Sequence, residues 1–434
     1  MLVRTALLVF WLAGACVARY DPLSVCGEWM IGGYKLVLSP LQGQNLCNFS
    51  PTCSQFAKAA IRTQGFLPGV LIGADRLMRC NTFAWSYCDT YYTGAIIDGR
   101  MTDPVENHLA WRSRTDEPGL VVAAQSEQLG TRSETSDVWL RQPLSDSAVM
   151  SRRLPASTAP APPGPSLSFA DFLYSSGEYS QAAAEYLRVR FTVGSAMLSG
   201  YAGLMAGESY LRAEDFSGAR RAFLDLRATP VLEFSRYGVA RTLFAEAEYP
   251  EARAALDSVV SAPLAQQARA LAGWTLFKQH RFAEGASALS TLQSALPAQH
   301  LATMDGRDIT RRSRLASSLL SAVIPGAGQL YSGRAGDGAY SFLTVVGTGL
   351  VTWWFAAEPA TRDRTRVKVS IFGVITALFY AGNVYGANVA ARDYNLFQER
   401  RYVQRADSLF NLLPLEPDYR PLLDSVSPRS DTGK

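Results

Sequence analysis

The cysteines are the residues of this chain whose type and spacing could do chemistry. All six lie within the first 88 of 434 residues, so they belong to one module. A structural role is favoured, as buried thiols or as a disulfide in a domain too small for a large core. Redox catalysis is disfavoured because no Cys-x-x-Cys pair occurs. A metal site is disfavoured because no histidine suggests a fourth ligand near Cys47, Cys53 and Cys80.

The redox state of these cysteines depends on the compartment that the module occupies. In an oxidising compartment they could pair. The candidates for disulfides are Cys26, Cys47, Cys53, Cys80 and Cys88, with Cys26 and Cys88 as an additional pair. The connectivity cannot be read from the sequence. We predict no metal and no cofactor, and the choice between thiols and a disulfide stays open.

The remaining composition argues against an enzyme and against a nucleic-acid partner. Three histidines are scattered at positions 108, 280 and 300, and no phosphate-binding loop, nucleophile elbow or zinc-protease motif occurs. The net charge of +4 is too small for a nucleic-acid surface. Charged residues make up 18% of the chain, against about 25% in soluble domains. This deficit indicates membrane segments or a helix-rich core.

Residues 1–19 are typical of a secretory signal peptide. Arg4 supplies a positive charge, an apolar stretch follows it, and Ala13-Gly14-Ala15 offers small residues for cleavage. The apolar stretch is too short for a good spanning helix. Two alternatives stay open, namely lipoprotein processing at Cys16 and an uncleaved membrane anchor.

The residues around the cysteines predict a short antiparallel pair of helices. Ser50 is the predicted cap of the first helix and Pro51 its first-turn residue, and Gly65 ends it. The second helix begins near Pro68, and its predicted inner face consists of Leu67, Val70, Leu71, Ala74 and Leu77. This pair would bring Cys80 back toward the loop that holds Cys47.

The same residues form an ordered set of motifs. They are Ser39-Pro40-Leu41, Cys47, Phe49, Pro51-Thr52-Cys53-Ser54, Phe56-Ala57, Gly65, Gly69, Arg76, Arg79-Cys80 and Asp103-Pro104-Val105. Over residues 30–105 this pattern resembles the YidD family of membrane protein insertion efficiency factors. The chain departs from the family at Asn48, Gln64 and Thr82, where Arg, His and Pro are usual, and by an insertion from 83 to 102.

The resemblance implies a non-enzymatic accessory factor at the bacterial inner membrane. Its implied partners are membrane lipid and an insertase or other membrane-protein assembly machinery. Family members lie at the cytoplasmic face, whereas a secretory signal would export this module. The side of the membrane therefore stays open.

A helical repeat follows a Pro-, Ser- and Ala-rich linker at residues 114–165. An aromatic residue begins the same sequence motif four times, with spacings of 37, 33 and 33 residues. A small residue and then a large residue follow each aromatic residue. The aromatic residues are Tyr179, Phe216, Tyr249 and Phe282. This resembles tetratricopeptide repeats, whose period is about 34 residues. Such a solenoid binds a protein or peptide partner, or acts as an architectural spacer or a self-association surface.

Two uncharged stretches, 338–357 and 369–391, are each long enough to cross a hydrocarbon core of about 30 Å. In the second, Gly382 and Gly386 form a small-residue face for close helix packing. An earlier uncharged stretch is broken at Pro325-Gly326, which predicts a half-inserted helix followed by a turn, with a third span as the alternative. Its motif, similar to one in bacterial membrane hairpins, comprises Pro325, Gly326, Gly328, Gln329, Tyr331 and Gly333.

We therefore predict an all-α protein with a small cysteine-containing helical module, a tetratricopeptide-like solenoid and a C-terminal transmembrane hairpin. The predicted parts are a signal peptide or anchor (1–19), a YidD-like module (26–113), a linker (114–165), repeats (166–300), a membrane domain (312–391) and a tail (392–434). The predicted function is to assist the insertion or assembly of integral membrane proteins. The alternative is a cell-envelope scaffold that binds protein partners through its repeats.

Overall fold

The structure, a computed structural model, divides into two units that are both built from helices. It describes residues 24–25, 27–28, 31–32, 47–88, 90–92, 94–109, 167–227, 231–259, 264–292, 296–357 and 362–424. Unit 1 comprises residues 1–143 and 310–398, and unit 2 comprises residues 144–309 and 399–434. Outside the described residues lie the predicted signal peptide, the predicted linker, Cys16, Cys26, Ser39 and Pro40.

The described residues are mostly helical, which confirms the predicted all-α class. In chain order the α-helices are α1 (Cys53–Gln64), α2 (Phe66–Arg79), α3 (Leu167–Ser175), α4 (Tyr179–Thr192), α5 (Ala196–Arg212), α6 (Phe216–Leu224), α7 (Val231–Ala245), α8 (Tyr249–Asp257), α9 (Ala265–Lys278), α10 (Phe282–Leu289), α11 (Leu296–Thr303), α12 (Arg314–Val323), α13 (Ala327–Tyr331), α14 (Ala335–Ala357), α15 (Arg362–Phe410) and α16 (Arg420–Asp424).

Unit 1 also contains a small sheet that the sequence did not predict. Its strands are β1 (Phe49–Ser50), β2 (Ile96–Ile97) and β3 (Arg100–Thr102). The central strand β3 runs parallel to β1 and antiparallel to β2. Two of the three strands come from the inserted stretch 83–102. The backbone N–H of Asp103 donates to the Ser50 carbonyl at 2.9 Å, so the sheet returns Asp103 to the start of α1.

The start of α1 differs from the prediction. Thr52, not Ser50, is the capping residue, and the helix begins at Cys53. The side chain of Gln55 accepts a hydrogen bond from the Thr52 backbone N–H at 3.1 Å, which satisfies a donor that the first turn would otherwise leave unpaired. The helix ends at Gly65, whose φ of 85° suits a residue without a Cβ atom.

The predicted inner face of α2 is wrong in part. Leu67 and Leu77 are 66% and 49% exposed. The buried side of the helix instead carries small residues (Gly69, Gly73 and Ala74), charged residues (Asp75, Arg76 and Arg79) and two large apolar residues (Ile72 and Met78). The glycines allow a close approach, because a Cβ atom on Gly69 would lie 2.4 Å from the Cα of Ile61. Helical periodicity failed here because buried charges occupy positions that a hydrophobic pattern assigns to solvent.

The carboxyl-terminal part of unit 1 contains the predicted helical hairpin. Helices α14 and α15 contact each other through the hydroxyls of Thr352 and Thr376, 3.1 Å apart, and the rings of Phe355 and Phe372. Both helices are long and apolar enough to cross a membrane. Their outer surface carries large apolar side chains that are more than half exposed, including Leu343, Leu350, Trp353, Trp354, Ile371 and Val374.

Helix α15 also packs against α2 through its two predicted small residues. A Cβ atom on Gly386 would lie 2.0 Å from Asp75 Oδ1, and one on Gly382 would lie 2.7 Å from the Cβ of Ala74. The two glycines therefore allow the backbones of α15 and α2 to approach closely. It joins the hairpin to the cysteine module within unit 1.

Unit 2 repeats one local arrangement. Each of the four predicted aromatic residues is the first residue of a helix, in α4, α6, α8 and α10. The turn before each of them contains a residue with positive φ, and these turn residues have the same spacing as the aromatic residues. They are Gly177, Glu214, Ala247 and His280. Large side chains fill the space beside glycines, as where the Phe223 ring lies against both Gly207 and Gly238. The tetratricopeptide resemblance itself stays a prediction.

The segment assigned to a tail from residue 392 continues helix α15 as far as Phe410. The residues from 399 onward belong to unit 2. There the Phe410 ring stacks on Trp274 with centroids 5.1 Å apart, and Trp274 Nε1 donates to Asp407 at 2.7 Å. This segment therefore contributes to the core of unit 2.

Replacing Gly386 by alanine should separate α15 from α2. We expect Gly386→Ala to lower the free energy of unfolding by about 1–3 kcal/mol, because the added methyl overlaps the buried Asp75 carboxylate. The matched control is Gly373→Ala in the same helix, where the nearest atom is 3.8 Å away. The control should leave stability unchanged or raise it by up to about 1 kcal/mol. Thermal unfolding in detergent measures both, and equal effects would contradict the packing.

Candidate functional site

The structure brings together the three cysteines of the predicted module. Cys47 Sγ lies 3.3 Å from Cys53 Sγ and 3.7 Å from Cys80 Sγ. The three sulfurs all lie within 4.8 Å of one another, and the residues are half-buried. Of the predicted disulfide candidates, these three and Cys88 carry thiols. Their role as structural thiols or as a disulfide stays a prediction.

Three different elements position these sulfurs. Cys47 lies just before β1, Cys53 is the first residue of α1, and Cys80 caps the end of α2. Hydrogen bonds from the Cys53 and Cys80 thiols lower the pKa of Cys47, whereas those from Cys47 raise the pKa of the other two. These shifts make Cys47 the most acidic of the three thiols.

A buried ion pair connects Arg76 to Asp103. The Arg76 side chain is fully buried between the rings of Phe49 and Phe56, whose centroids lie 4.0 and 4.4 Å from its Cζ atom. Its Nη1 donates to Asp103 Oδ2 at 2.5 Å and to the Asp103 carbonyl at 2.8 Å, and its Nη2 donates to the Pro51 carbonyl at 3.3 Å. Each charge is compensated within the fold, as buried charges require.

Arg79 is the centre of a second buried group. Its Nε donates to Asp75 Oδ2 at 2.8 Å and its Nη1 to the Tyr92 hydroxyl at 3.3 Å. Its Nη2 lies 2.9 Å from His108 Nδ1, and His108 Nε2 lies 2.6 Å from Asp103 Oδ1. Since a guanidinium only donates, Nδ1 must accept and Nε2 must carry the proton. The imidazole of His108 is therefore neutral.

The electrostatics of this group agree with its geometry. Burial and the Arg79 charge lower the pKa of His108 to about 4, against an unperturbed value of 6.5. Burial raises the pKa of Asp75. In contrast, the pKa of Asp103 lies well below its usual range because His108 and Arg76 outweigh its desolvation. Asp103 therefore stays ionised across the physiological range.

Arg334 ties this group to the hairpin. Arg334 lies just before α14, and its side chain is fully buried. The guanidinium donates to the Tyr92 hydroxyl and forms an ion pair with Asp337 at 2.9 Å. Asp337 in turn accepts a hydrogen bond at 2.9 Å from Asn81, the residue after Cys80. Tyr92 thus lies between an arginine of the module and an arginine of the hairpin.

Sequence analysis missed Asp75, Tyr92, His108, Arg334 and Asp337 as members of this site. One signal was available, because Arg334 and Asp337 are charges at the start of a span-length apolar helix. Charges in such positions often mark pairing with another part of the protein. The identity of the partners could not be read from the sequence, since they lie more than 200 residues away.

The other predicted motif residues of the module serve its local geometry. Pro51 supplies the carbonyl that Arg76 contacts, and Thr52 caps α1. The Ser54 hydroxyl lies 3.5 Å from the Thr52 hydroxyl. Pro104 precedes the short 3-10 helix Val105–His108, which carries His108 back to Asp103. Among the described residues, Pro51, Thr52, Ser54 and Pro104 form no hydrogen bond with the three sulfurs.

The predicted membrane motif forms a turn between α12 and α14, as the break at Pro325-Gly326 indicated. Helix α12 has 10 residues, or about 15 Å, which is too short to cross a bilayer. Gly326 has a φ of 85°, and a Cβ atom there would lie 2.0 Å from the Gly338 carbonyl oxygen. A Cβ atom on Gly328 would lie 2.0 Å from the Ser317 carbonyl oxygen, and Gly333 has a φ of 78°. These glycines permit contacts that a side chain would block.

Internal hydrogen bonds hold this turn. Gln329 Nε2 donates to the Asn383 carbonyl at 3.0 Å, and its Oε1 accepts from the Ser321 hydroxyl at 2.8 Å. Asn383 also accepts from the Gly326 N–H at 2.8 Å. The Tyr331 hydroxyl accepts from the Ser313 N–H at 3.3 Å. The polar groups of the motif are thus engaged within the fold, which indicates a structural role.

Removing the Asp103 charge should destabilise unit 1. Asp103→Asn leaves Arg76 with a neutral partner in a buried position, and we expect a loss of about 3–5 kcal/mol in the free energy of unfolding. The isosteric control Asp98→Asn removes an exposed charge and should change stability by less than about 0.5 kcal/mol. Chemical unfolding measures both, and an equally small effect at Asp103 would exclude the ion pair as a stabilising contact.

Stability should fall as the pH falls through the range set by His108. The unfolded chain takes up a proton near pH 6.5, whereas the folded chain does so only near pH 4. The stabilisation is therefore complete above pH 6.5 and lost below it, by about 2 kcal/mol between pH 7 and pH 5. His108→Gln should reduce this slope, whereas His300→Gln at an exposed position should keep it. Unfolding free energies at several pH values test this, and an unchanged slope in His108→Gln would contradict the assignment.

Comparison with known proteins gives the same result for the cysteine module. Residues 24–92 match the YidD family of membrane protein insertion efficiency factors. A factor of that name from Aeromonas salmonicida (strain A449) is 48% identical over 60 residues, which is 14% of this chain and 72% of the relative. One from Cellvibrio japonicus (strain Ueda107) is 37% identical over 84 residues, 19% of this chain and 80% of the relative. No solved structure matches the chain significantly.

The matched residues include the three clustered cysteines, Arg76 and Arg79. The two span-length helices and unit 2 lie beyond them. Since most of the length of these relatives aligns with this part of the chain, the protein belongs to the YidD family of membrane protein insertion efficiency factors.

Proposed function

We propose that this protein is a membrane-bound accessory factor that assists the insertion or assembly of integral membrane proteins and performs no chemistry of its own. The observation that carries the proposal is the composition of unit 1. In that unit the YidD module packs against two helices that are long and apolar enough to cross a membrane. A factor that acts on membrane proteins as they insert must be held where they insert.

The distribution of polarity over α2 supports this role. Its charged side chains are turned inward and paired, while Leu67 and Leu77 are exposed. An outward apolar surface on a membrane-attached module suits contact with lipid or with an apolar client segment. The charged groups that could have bound an anionic partner are used inside the fold.

Unit 2 would supply the contact with a protein partner. Its helices repeat with the spacing of the aromatic residues, and stacked helical pairs of this kind offer extended binding surfaces. In this proposal unit 2 recruits an insertase component or a client, and unit 1 keeps the complex at the membrane. The bacterial inner membrane is the proposed location.

The exposed leucines provide the test. We expect Leu67→Asn combined with Leu77→Asn to slow membrane insertion of several multispanning proteins, approaching the defect of a chain that lacks residues 30–105. The loss follows from removing apolar surface while leaving the buried network intact. Protease protection after pulse labelling measures insertion, with the same variants expressed at equal levels.

The matched control is Leu224→Asn, an equally conservative change at a leucine that is 55% exposed in unit 2. In cells with this variant, the client proteins should insert at the same rate as in cells with the unmodified protein. Normal insertion kinetics in both the double variant and the deletion would exclude the proposed role. Crosslinking from unit 2 separates the rival function: insertase components support the accessory factor, whereas envelope assembly proteins alone support a scaffold.

A further inference from the structure

We propose that Cys47, Cys53 and Cys80 together bind a thiophilic d10 cation, either Zn²⁺ or Cu⁺. The Sγ atoms of Cys53 and Cys80 lie 3.3 and 3.7 Å from Cys47 Sγ, and all three sulfurs lie within 4.8 Å of one another. Thiolates bound to one Zn²⁺ at about 2.3 Å in tetrahedral geometry lie about 3.8 Å apart. Shifts of less than about 1 Å would bring the observed arrangement to that geometry.

The scaffold holds the three sulfurs from separate elements. Cys53 and Cys80 occupy the start of α1 and the end of α2, and Cys47 lies beside β1. Asn48 fixes the loop, because its Nδ2 donates to the Asn81 carbonyl at 2.7 Å and its Oδ1 accepts from Trp85 Nε1 at 3.2 Å. Ligands that are held before the cation arrives are characteristic of a built site.

Backbone donors aimed at the sulfurs provide a second, independent observation. The N–H of Cys53 donates to Cys47 Sγ at 3.3 Å, and the N–H of Asn48 donates to Cys80 Sγ at 3.4 Å. Such N–H groups stabilise the negative charge of metal-bound thiolates and orient their lone pairs. Packing alone does not account for these hydrogen bonds. Thiols that are buried only as small apolar groups need no hydrogen-bond donor and no contact with one another.

Cys88 illustrates the difference. It packs beside the same apolar cluster as Cys47 and Cys80, yet it is not part of the group of three. Proximity in the fold therefore does not by itself bring a cysteine sulfur into contact with the other three. The triad is also half-buried, which leaves a route for a cation and for a fourth ligand.

The composition of the site sets its chemistry. Each thiol loses its proton when the cation binds, so three thiolates and Zn²⁺ leave one net negative charge, and a water molecule completes the tetrahedron. Cu⁺ would bind the same three sulfurs in a plane without the water. In either case the cation would crosslink β1, α1 and α2.

The test uses the full chain, purified in detergent without chelators under reducing, anaerobic conditions. Zn²⁺ and Cu⁺ are added in separate arms, and the bound metal is measured by mass spectrometry after gel filtration and by competition with a chromophoric chelator. We expect about one equivalent per chain for one of the two cations. Cys53→Ser and Cys80→Ser should each weaken binding by at least about ten-fold. The matched control Cys88→Ser should bind as the unmodified chain does.

A second measurement covers variants that fail to fold. In the unmodified protein, the cation should protect all three thiols from alkylation, and chelation should expose them reversibly. The proposal is overturned if neither cation binds the unmodified chain more tightly than Cys53→Ser. It is also overturned if metal leaves alkylation unchanged, or if peptide mapping of the protein as isolated finds two of the three cysteines joined in a disulfide.

Discussion

The buried contact between Arg76 and Asp103 is the constraint on which the cysteine module depends. A guanidinium with no solvent access is costly by several kcal/mol unless a carboxylate and further acceptors compensate it. Its carboxylate lies 27 residues away, beyond the whole inserted stretch. The module can therefore reach its folded state only if the small sheet returns Asp103 to the start of α1. The arginine and Asp-Pro-Val motifs consequently act inside the fold and not at its surface.

Arg334 extends the same principle to the membrane part. Together with Arg79 it surrounds the Tyr92 hydroxyl, and Asp337 contacts Asn81 across 256 residues of sequence. Glycines of α15 remove the side chains that would otherwise keep α2 away. The family module is therefore built into the hairpin. This arrangement attaches a small domain with exposed leucines to two helices that are long and apolar enough to cross a membrane.

Local patterns predicted the parts of the structure that local interactions determine. The aromatic residues at the starts of four helices, the break at Pro325-Gly326 and the hairpin follow from spacing, glycine and proline positions, and segment length. The convergence of Cys47, Cys53 and Cys80 followed from the predicted antiparallel pair. The cap at Thr52 and the inner face of α2 were predicted wrongly. Periodicity places charged residues outward, and it cannot show that Asp75 and Arg79 pair with each other or that Arg79 also contacts Tyr92 and His108.

The most direct test of this account is a double-mutant cycle between the module and the hairpin. Tyr92→Phe removes only the hydroxyl, since the ring keeps its contact with Phe49, and Arg334→Gln removes the charge. If the buried network joins the two parts, the unfolding free energies in mixed micelles will be non-additive by more than about 1 kcal/mol. Additivity within about 0.5 kcal/mol would show that module and hairpin are not coupled through this contact.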